Sequence, residues 1–280
     1  MRDLQNKTAV ITGAGSGMGR AMSLRLAEAG MNVVLADVDD DAMAAVAETI
    51  TGGGGRAISV HTDVADSTAN AELFEAAVAA FERVNVVALN AGVTGSVGRS
   101  WTLTEQDWRW SLGILLDGVI HGVRTFVPHL VDHGDGHVVI TASIAGHVSS
   151  PFSGPYAVAK HGVVALAETL HHDLAAERSS VGVTCLCPGF VNTNIVTAAR
   201  AREGAEVGTH TDERGNKWLE VSGRFLETGL EPEIVAQQVH DAIIENRFWL
   251  FTDRAWDDAI ARRNEEIINR RPPTIGRPSP

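Results

Sequence analysis

The chain predicts an α/β fold, a single doubly wound parallel sheet with helices on both faces. Three observations predict it. Short β-branched runs alternate with longer helical patterns from residue 8 to residue 189. The runs are apolar almost throughout, the pattern of strands covered on both faces. Glycines close the helical patterns, at Gly30 and across 52–55.

Taken in order, TAVIT (8–12) is a strand that ends on Gly13, and 18–29 is a helix stopped by Gly30. NVVLAD (32–37) is the second strand, and 41–50 the helix before the glycine run. RAISVHTDV (56–64) and NVVALNAG (85–92) are strands with a helix over 67–81 between them. A long helix is expected over 104–131, then a strand in GHVVITAS (136–143). A helix over 155–178 and a strand in VGVTCLCPG (181–189) complete the regular pattern. No Pro- or Ser-rich linker and no internal repeat divides the chain, so one nucleotide-binding domain is expected over 1–265. It includes a polar, weakly periodic stretch at about 192–225 that would serve as a substrate lid beyond the strand ends. The tail, 266–280, reads as irregular.

With 280 residues, 44% hydrophobic and 21% charged, the composition is that of an ordinary globular protein. A formal net charge of −12 argues against nucleic acid or an anionic membrane surface as a partner. No apolar run approaches ~18 residues, so no spanning helix is expected. MRDLQNKTAVITG enters a strand at once, which leaves no room for a secretory segment and predicts a cytoplasmic location. Cys185 and Cys187, two apart on a strand, should share a face as reduced thiols, and no metal site is expected.

Two constellations carry chemistry. TAVIT runs straight into Thr12-Gly13-Ala14-Gly15-Ser16-Gly17-Met18-Gly19, and a helix follows. Glycines permit a tight turn and let backbone N–H groups approach a pyrophosphate, whose charge the helix N-terminus favours. This strand, glycine turn and helix make the expected sheet Rossmann-type. Asp37 closes the second strand, where a carboxylate can accept from adenosine ribose hydroxyls and repel a 2′-phosphate. No basic residue stands at Ser16 or Val38, so NAD is expected over NADP.

The second constellation is Ser143 with Tyr156 and Lys160. Tyr156 and Lys160 are one helical turn apart and project from one face. A lysine ammonium beside a phenol favours the phenolate, so Tyr156 is expected to exchange a proton near neutral pH with a pKa drawn below about 10.

In this order and at these spacings the chain resembles the short-chain dehydrogenases/reductases from about residue 5 to about residue 265. The matching elements are TGAGSGMG, Asp63-Val64, Asn90-Ala91-Gly92, Ser143, YAVAK from Tyr156 to Lys160, and Pro188-Gly189 with Thr193 beyond. The resemblance implies a hydride transfer between a nicotinamide cofactor and a secondary alcohol or ketone. Asp63 and Val64 would hold the adenine, and Asn90, Ala91 and Gly92 would line the cleft. Pro188, Gly189, Val191 and Thr193 would flank the nicotinamide. Ser143 would orient the substrate oxygen, and Lys160 would bind the nicotinamide ribose. Family members are commonly tetramers, so a homo-oligomer, tetramer or dimer, is expected. The apolar stretch 163–170 suits either such an interface or a core-facing helix.

One departure stands out. The family's fourth catalytic residue is an asparagine in the long helix, within a stretch like V-N-L-x-G. Here Ile114-Leu115-Leu116-Asp117-Gly118 places Leu115 there, and Asp117 lies some 200° around the helix. In the family that site is a local helix irregularity whose main-chain carbonyl holds a water linking the lysine to solvent. Two outcomes follow: the helix stays irregular and the enzyme is competent, or it regularises and proton exchange slows. The alternative function is therefore an impaired or altered relative, lyase-like or NAD-sensing.

Other candidates carry less. His129, His133 and His137 are spaced by four but read as a solvated connecting turn across Gly134 and Gly136. His171 and His172, adjacent on a helix, cannot face one ligand. His147 lies near enough to Ser143 to approach a substrate pocket, which Trp101, Phe152 and Phe190 could line. Trp108 and Trp110 read as packing or subunit contacts.

Overall fold

The structure, a computed structural model, describes residues 3–195 and 213–279. Seven parallel strands form one sheet in the order β3-β2-β1-β4-β5-β6-β7. They are β1 (Thr8–Thr12), β2 (Asn32–Asp37), β3 (Arg56–His61), β4 (Val86–Leu89), β5 (His137–Thr141), β6 (Gly182–Cys187) and β7 (Trp249–Phe251). Helices α1 (Gly17–Glu28), α2 (Asp40–Gly52), α3 (Ser67–Phe81), α4 (Glu105–Leu112) and α5 (Gly118–His133) precede α6 (Gly154–Ala176). Then come α7 (Glu213–Glu227), α8 (Pro232–Glu245) and α9 (Asp257–Ile268).

Local chemistry sets the helix ends. Asp39 accepts from Ala42 N–H and Asp66 from Thr68 N–H, each satisfying a first-turn donor. Thr104 and Asp107 form a reciprocal capping box at α4. Gly134, at φ 67°, supplies the left-handed residue that stops α5.

The central strands are buried end to end, and the core lies in two layers. On one face α1, α2 and α8 cover the sheet through Met22, Leu26, Met43, Val46, Val239 and Ile243. On the other, α3, α5 and α6 bring Leu73, Phe126, Leu130, Val163 and Leu170. Val163, Val164, Ala167 and Leu170 are thus core-facing, which decides between the two readings of that stretch.

Three expectations need correction. The long helix is not uniform: Gly113–Asp117 is a π-helical turn between α4 and α5, with Gly118 N–H bonded to Gly113 C=O. His129 and His133 lie on α5, and His137 is fully buried in β5. This is no solvated turn: Val84 N–H donates to His129 Nε2, while His133 Nε2 meets Val84 C=O and His137 Nε2 meets Thr184 Oγ1. Third, α9 runs across the 265 boundary, and the residues after it are pinned to the fold. Of the stretch 192–225, residues 196–212 lie outside the described residues, and 213–225 belong to α7.

Among the described residues, Glu105–His133 is long and apolar enough to cross a membrane by length and composition. It instead packs against α3, α6, β4 and β5 as a core helix.

Candidate active site

The chain leaves β1 toward β2 on one side, and β4 pairs on the other. That reversal opens a crevice beyond the carboxyl ends of the strands. The glycine turn, Asp37, Asp63, Asn90, Ser143 and Pro188 follow the carboxyl ends of β1 to β6, so one edge of the sheet gathers them.

The turn is built for close approach. A β-carbon on Gly19 would lie 1.9 Å from Gly13 C=O, and Gly13 itself sits at φ 67° with Ala91 Cα 2.9 Å from a β-carbon position. Both positions are closed to any side chain. Ser16 is the N-cap of α1 and makes no side-chain cap hydrogen bond to its first turn. Met18 packs its side chain into the core and offers only main chain to the turn. Thr193, past β6, closes over the same turn: its Cγ2 is 3.1 Å from a β-carbon position on Gly17.

Asn90 clamps this turn to the sheet. Its Nδ2 donates to Thr12 C=O at 3.0 Å, and Thr12 Oγ1 accepts from Asn90 N–H and Ala91 N–H. Asp37 accepts from Gly15 N–H at 2.9 Å and from Val38 N–H at 2.8 Å, which aims its carboxylate at the turn. Val38 beside it is exposed. Asp63 accepts from Ala65 N–H, and Val64 is buried, its C=O accepting from Asn70 Nδ2. Gly92 lies against Leu115.

Ser143, Tyr156 and Lys160 come together at the ends of β5 and α6. Ser143 caps the short helical turn 144–146, accepting from Ala145 N–H, and its hydroxyl lies near the Tyr156 phenol. Lys160 is buried, and its Nζ donates to Thr141 C=O at 2.7 Å. Thr141 Oγ1 in turn donates to Asn90 Oδ1 at 3.2 Å. A line of hydrogen bonds therefore joins the lysine to the glycine turn.

The expected depression of the tyrosine does not hold in the protein alone. Lys160 Nζ lies 5.8 Å from the Tyr156 ring centroid and commits a proton to Thr141. Burial pushes the Tyr156 phenol up, opposed only by the neighbouring Ser143 hydroxyl. Burial also draws Lys160 down to about 8.

Leu115 sits in the π turn, fully buried, while Asp117 is exposed. Its two methyls lie 3.5 Å from β-carbon positions on Gly92 and Gly95, so leucine fills the space that those glycines leave. Of the two outcomes, the helix stays irregular without the asparagine.

Beyond β6, Pro188 C=O accepts from Ile144 N–H, and Gly189 N–H donates to Thr252 Oγ1. Val191 is buried in the core and bridges to Leu230, so its side chain faces away from the crevice. Phe190 stacks on Phe225 of α7 at 5.1 Å and lies 5.8 Å from the Trp256 ring. Trp101 is 82% exposed. His147 turns to β6 and β7, with Nε2 3.4 Å from Cys187 Sγ and its ring on Trp249 and Phe251. Burial, with His161 and Arg263 nearby, holds it at about 4. Cys185 and Cys187 are buried free thiols with sulfurs 3.7 Å apart.

Sequence reasoning missed Thr141, Thr252, Phe225 and Trp256. Thr141 carried a signal, since it shares strand parity with Ser143. The others lie past the last run the alternation marks.

Comparison with known proteins gives concordant results. The sequence model described as short chain dehydrogenase matches residues 7–204. The chain is 40% identical to a short chain dehydrogenase/reductase from Burkholderia phymatum solved in complex with NAD, with a TM-score of 0.94 over 98% of both chains. It is 34% identical over 266 residues to 1-deoxy-11-beta-hydroxypentalenate dehydrogenase of Streptomyces avermitilis, covering 94% of this chain and 90% of that one. It is 29% identical over 270 residues to C alpha-dehydrogenase of Sphingobium sp., covering 96% and 88%.

Proposed function

The chain belongs to the short-chain dehydrogenase family, and on that premise we propose that it is an NAD-dependent oxidoreductase interconverting a secondary alcohol and a ketone. The observation that carries the reading is the gathering of Ser143, Tyr156 and Lys160 at the ends of β5 and α6, with Lys160 joined through Thr141 and Asn90 to the glycine turn.

When bound, the nicotinamide supplies the hydride acceptor or donor. The first-turn N–H groups of α1 would cradle the pyrophosphate, and Asp37 would accept from the adenosine ribose hydroxyls. Asp63 and Val64 border the adenine, and Pro188, Gly189 and Thr193 flank the nicotinamide. Ser143 orients the substrate oxygen next to Tyr156 Oη. In oxidation Tyr156 takes the hydroxyl proton; in reduction it returns one. A raised phenol works near neutral pH only if a cation faces it, and Lys160, which has donors beyond the one given to Thr141, would supply that charge and hold the ribose.

The π turn at Gly113–Asp117 packs against α6, with Leu116 on Gly162 two residues past Lys160, which supports a competent enzyme over an impaired one. A homotetramer or dimer that pairs the long helices would cover the exposed Val131 and Val158, and a cytoplasmic location is part of the same proposal.

The test is a panel of cyclic, aromatic and aliphatic secondary alcohols with NAD and NADP, read as reduced-nicotinamide absorbance. Turnover with NAD that Tyr156→Phe lowers by ~10²–10⁴-fold is expected. Faster turnover with NADP sinks the cofactor reading, and a fully active Tyr156→Phe sinks the mechanism.

A further inference from the structure

The residues that follow Ser143 and Gly189 in the chain, Ile144 and Phe190, pack into one apolar cluster. Ile144, Val148, Trp256 and Ala259 form its buried part, with Phe190, Phe251, Ala255 and Ile260 against them. Phe225 extends it by stacking on Phe190. This cluster therefore begins one residue from the group that would orient the substrate oxygen and one residue from the nicotinamide flank.

The C-terminal segment closes its outer side. Glu266, only 6% exposed near the end of α9, accepts from Thr274 Oγ1 at 2.6 Å and Thr274 N–H at 3.1 Å. At the other end Ser279 N–H donates to Ala255 C=O at 2.6 Å, and Ser279 Oγ donates to Asp258 at 2.8 Å. The segment thus runs back along α9, from its last turn to its first. Between the two anchors, Gly276 lies on Val148, whose Cβ is 3.0 Å from a β-carbon position on that glycine. Two hydrogen bonds to one carboxylate fix the segment at Thr274, and Arg262 and Arg271 lie near that same carboxylate.

We propose that the segment 271–279, latched by Glu266 to Thr274, seats Val148 and so forms the outer wall of a substrate pocket that takes a secondary alcohol or ketone bearing a bulky apolar, ring-sized substituent. This rests on the dehydrogenase reading above and names the substrate class of that same site. Glu266 is a positioning residue, acting through Thr274 and Val148. A wall of this kind contributes to binding the large substituent equally in ground and transition states, so its loss raises KM and spares kcat.

The experiment compares 1-phenylethanol with 2-propanol, using NAD, in the parent protein, Glu266→Ala, Thr274→Val and a chain ended after Arg271. The expected result is a KM for 1-phenylethanol raised about tenfold or more in Glu266→Ala, the penalty for a pocket that no longer closes on an apolar ring. The kcat for 1-phenylethanol and both constants for 2-propanol should stay within about twofold. Equal losses on both alcohols, or no change on either, overturn the proposal. If the shortened chain does not fold, the two point variants decide by the same criterion. A parent protein that oxidises 2-propanol but not 1-phenylethanol overturns the wall alone, and one that oxidises neither overturns the dehydrogenase reading beneath it.

Discussion

Replacing Leu115 by asparagine restores the residue usual in the family and tests what this helix needs. The leucine is fully buried, with its methyls 3.5 Å from the β-carbon positions that Gly92 and Gly95 leave empty. Removing it forfeits ~2 kcal/mol of burial, and the incoming amide adds ~1–2 kcal/mol for donors that no neighbour was shaped to meet. A loss of ~3 kcal/mol against an unfolding entropy of ~0.6 kcal/mol/K for this length lowers Tm by about 5 °C. If the π turn supplies the proton route through its main chain, kcat is set by the backbone and changes by less than about threefold. Calorimetry or circular dichroism gives Tm, and steady-state alcohol oxidation with NAD gives kcat. A tenfold or greater rise in kcat would refute the argument, because the amide itself would then be the missing part. An unchanged Tm would refute the packing claim.

Asp37→Asn keeps one of the two acceptor oxygens that Gly15 N–H and Val38 N–H use, and removes the charge that opposes a 2′-phosphate. The ratio of kcat/KM for NADP to that for NAD should rise about tenfold or more, and an unmoved ratio would discard the charge argument. Gly19→Ala places a methyl on Gly13 C=O, so NAD binding by calorimetry should be lost or the fold destabilised by several kcal/mol; near-parental Kd and Tm would contradict the cradle. Lys160 in the unliganded fold titrates at about 8, below its ordinary 10.5. Between those values the unfolded chain holds a proton that the folded one has released, so this group makes stability rise with pH across that window. Urea unfolding at pH 7 to 10 should show Lys160→Met lacking that rise relative to the parent; parallel curves would contradict it. Glu266 has its carboxyl held below the ordinary 4.5 by Thr274. The latch is intact above 4.5 and lost as pH falls through the lowered value, so proteolysis of the tail should begin only in acid.

Much of this was legible because parallel strands announce themselves as apolar runs and the crevice forms wherever such strands end. The glycine turn, Asp37, Asn90, Ser143, Tyr156 and Lys160 all follow those ends closely in the chain. Two kinds of information were not local. The partner that Lys160 adopts depends on a carbonyl nineteen positions away, so the phenol's pKa could not be inferred from the four-residue spacing. The other is the last strand, three residues long and half-buried, which is too short to show a period; α7 to α9 and the aromatic stack of Phe225, Phe190 and Trp256 went unseen with it. The histidines erred for a related reason, because Gly134 marks the end of a helix that already contains two of them.

The widened turn between α4 and α5 amounts to one surplus residue wound into an otherwise continuous rod. Its shape is held in residue count more than in the identity of any one side chain, which is why a leucine can occupy a place usually given to an amide. Point substitutions along 113–117 are therefore absorbed as changes in packing, whereas deleting a single residue there would straighten the rod while leaving the register of everything after Gly118 intact.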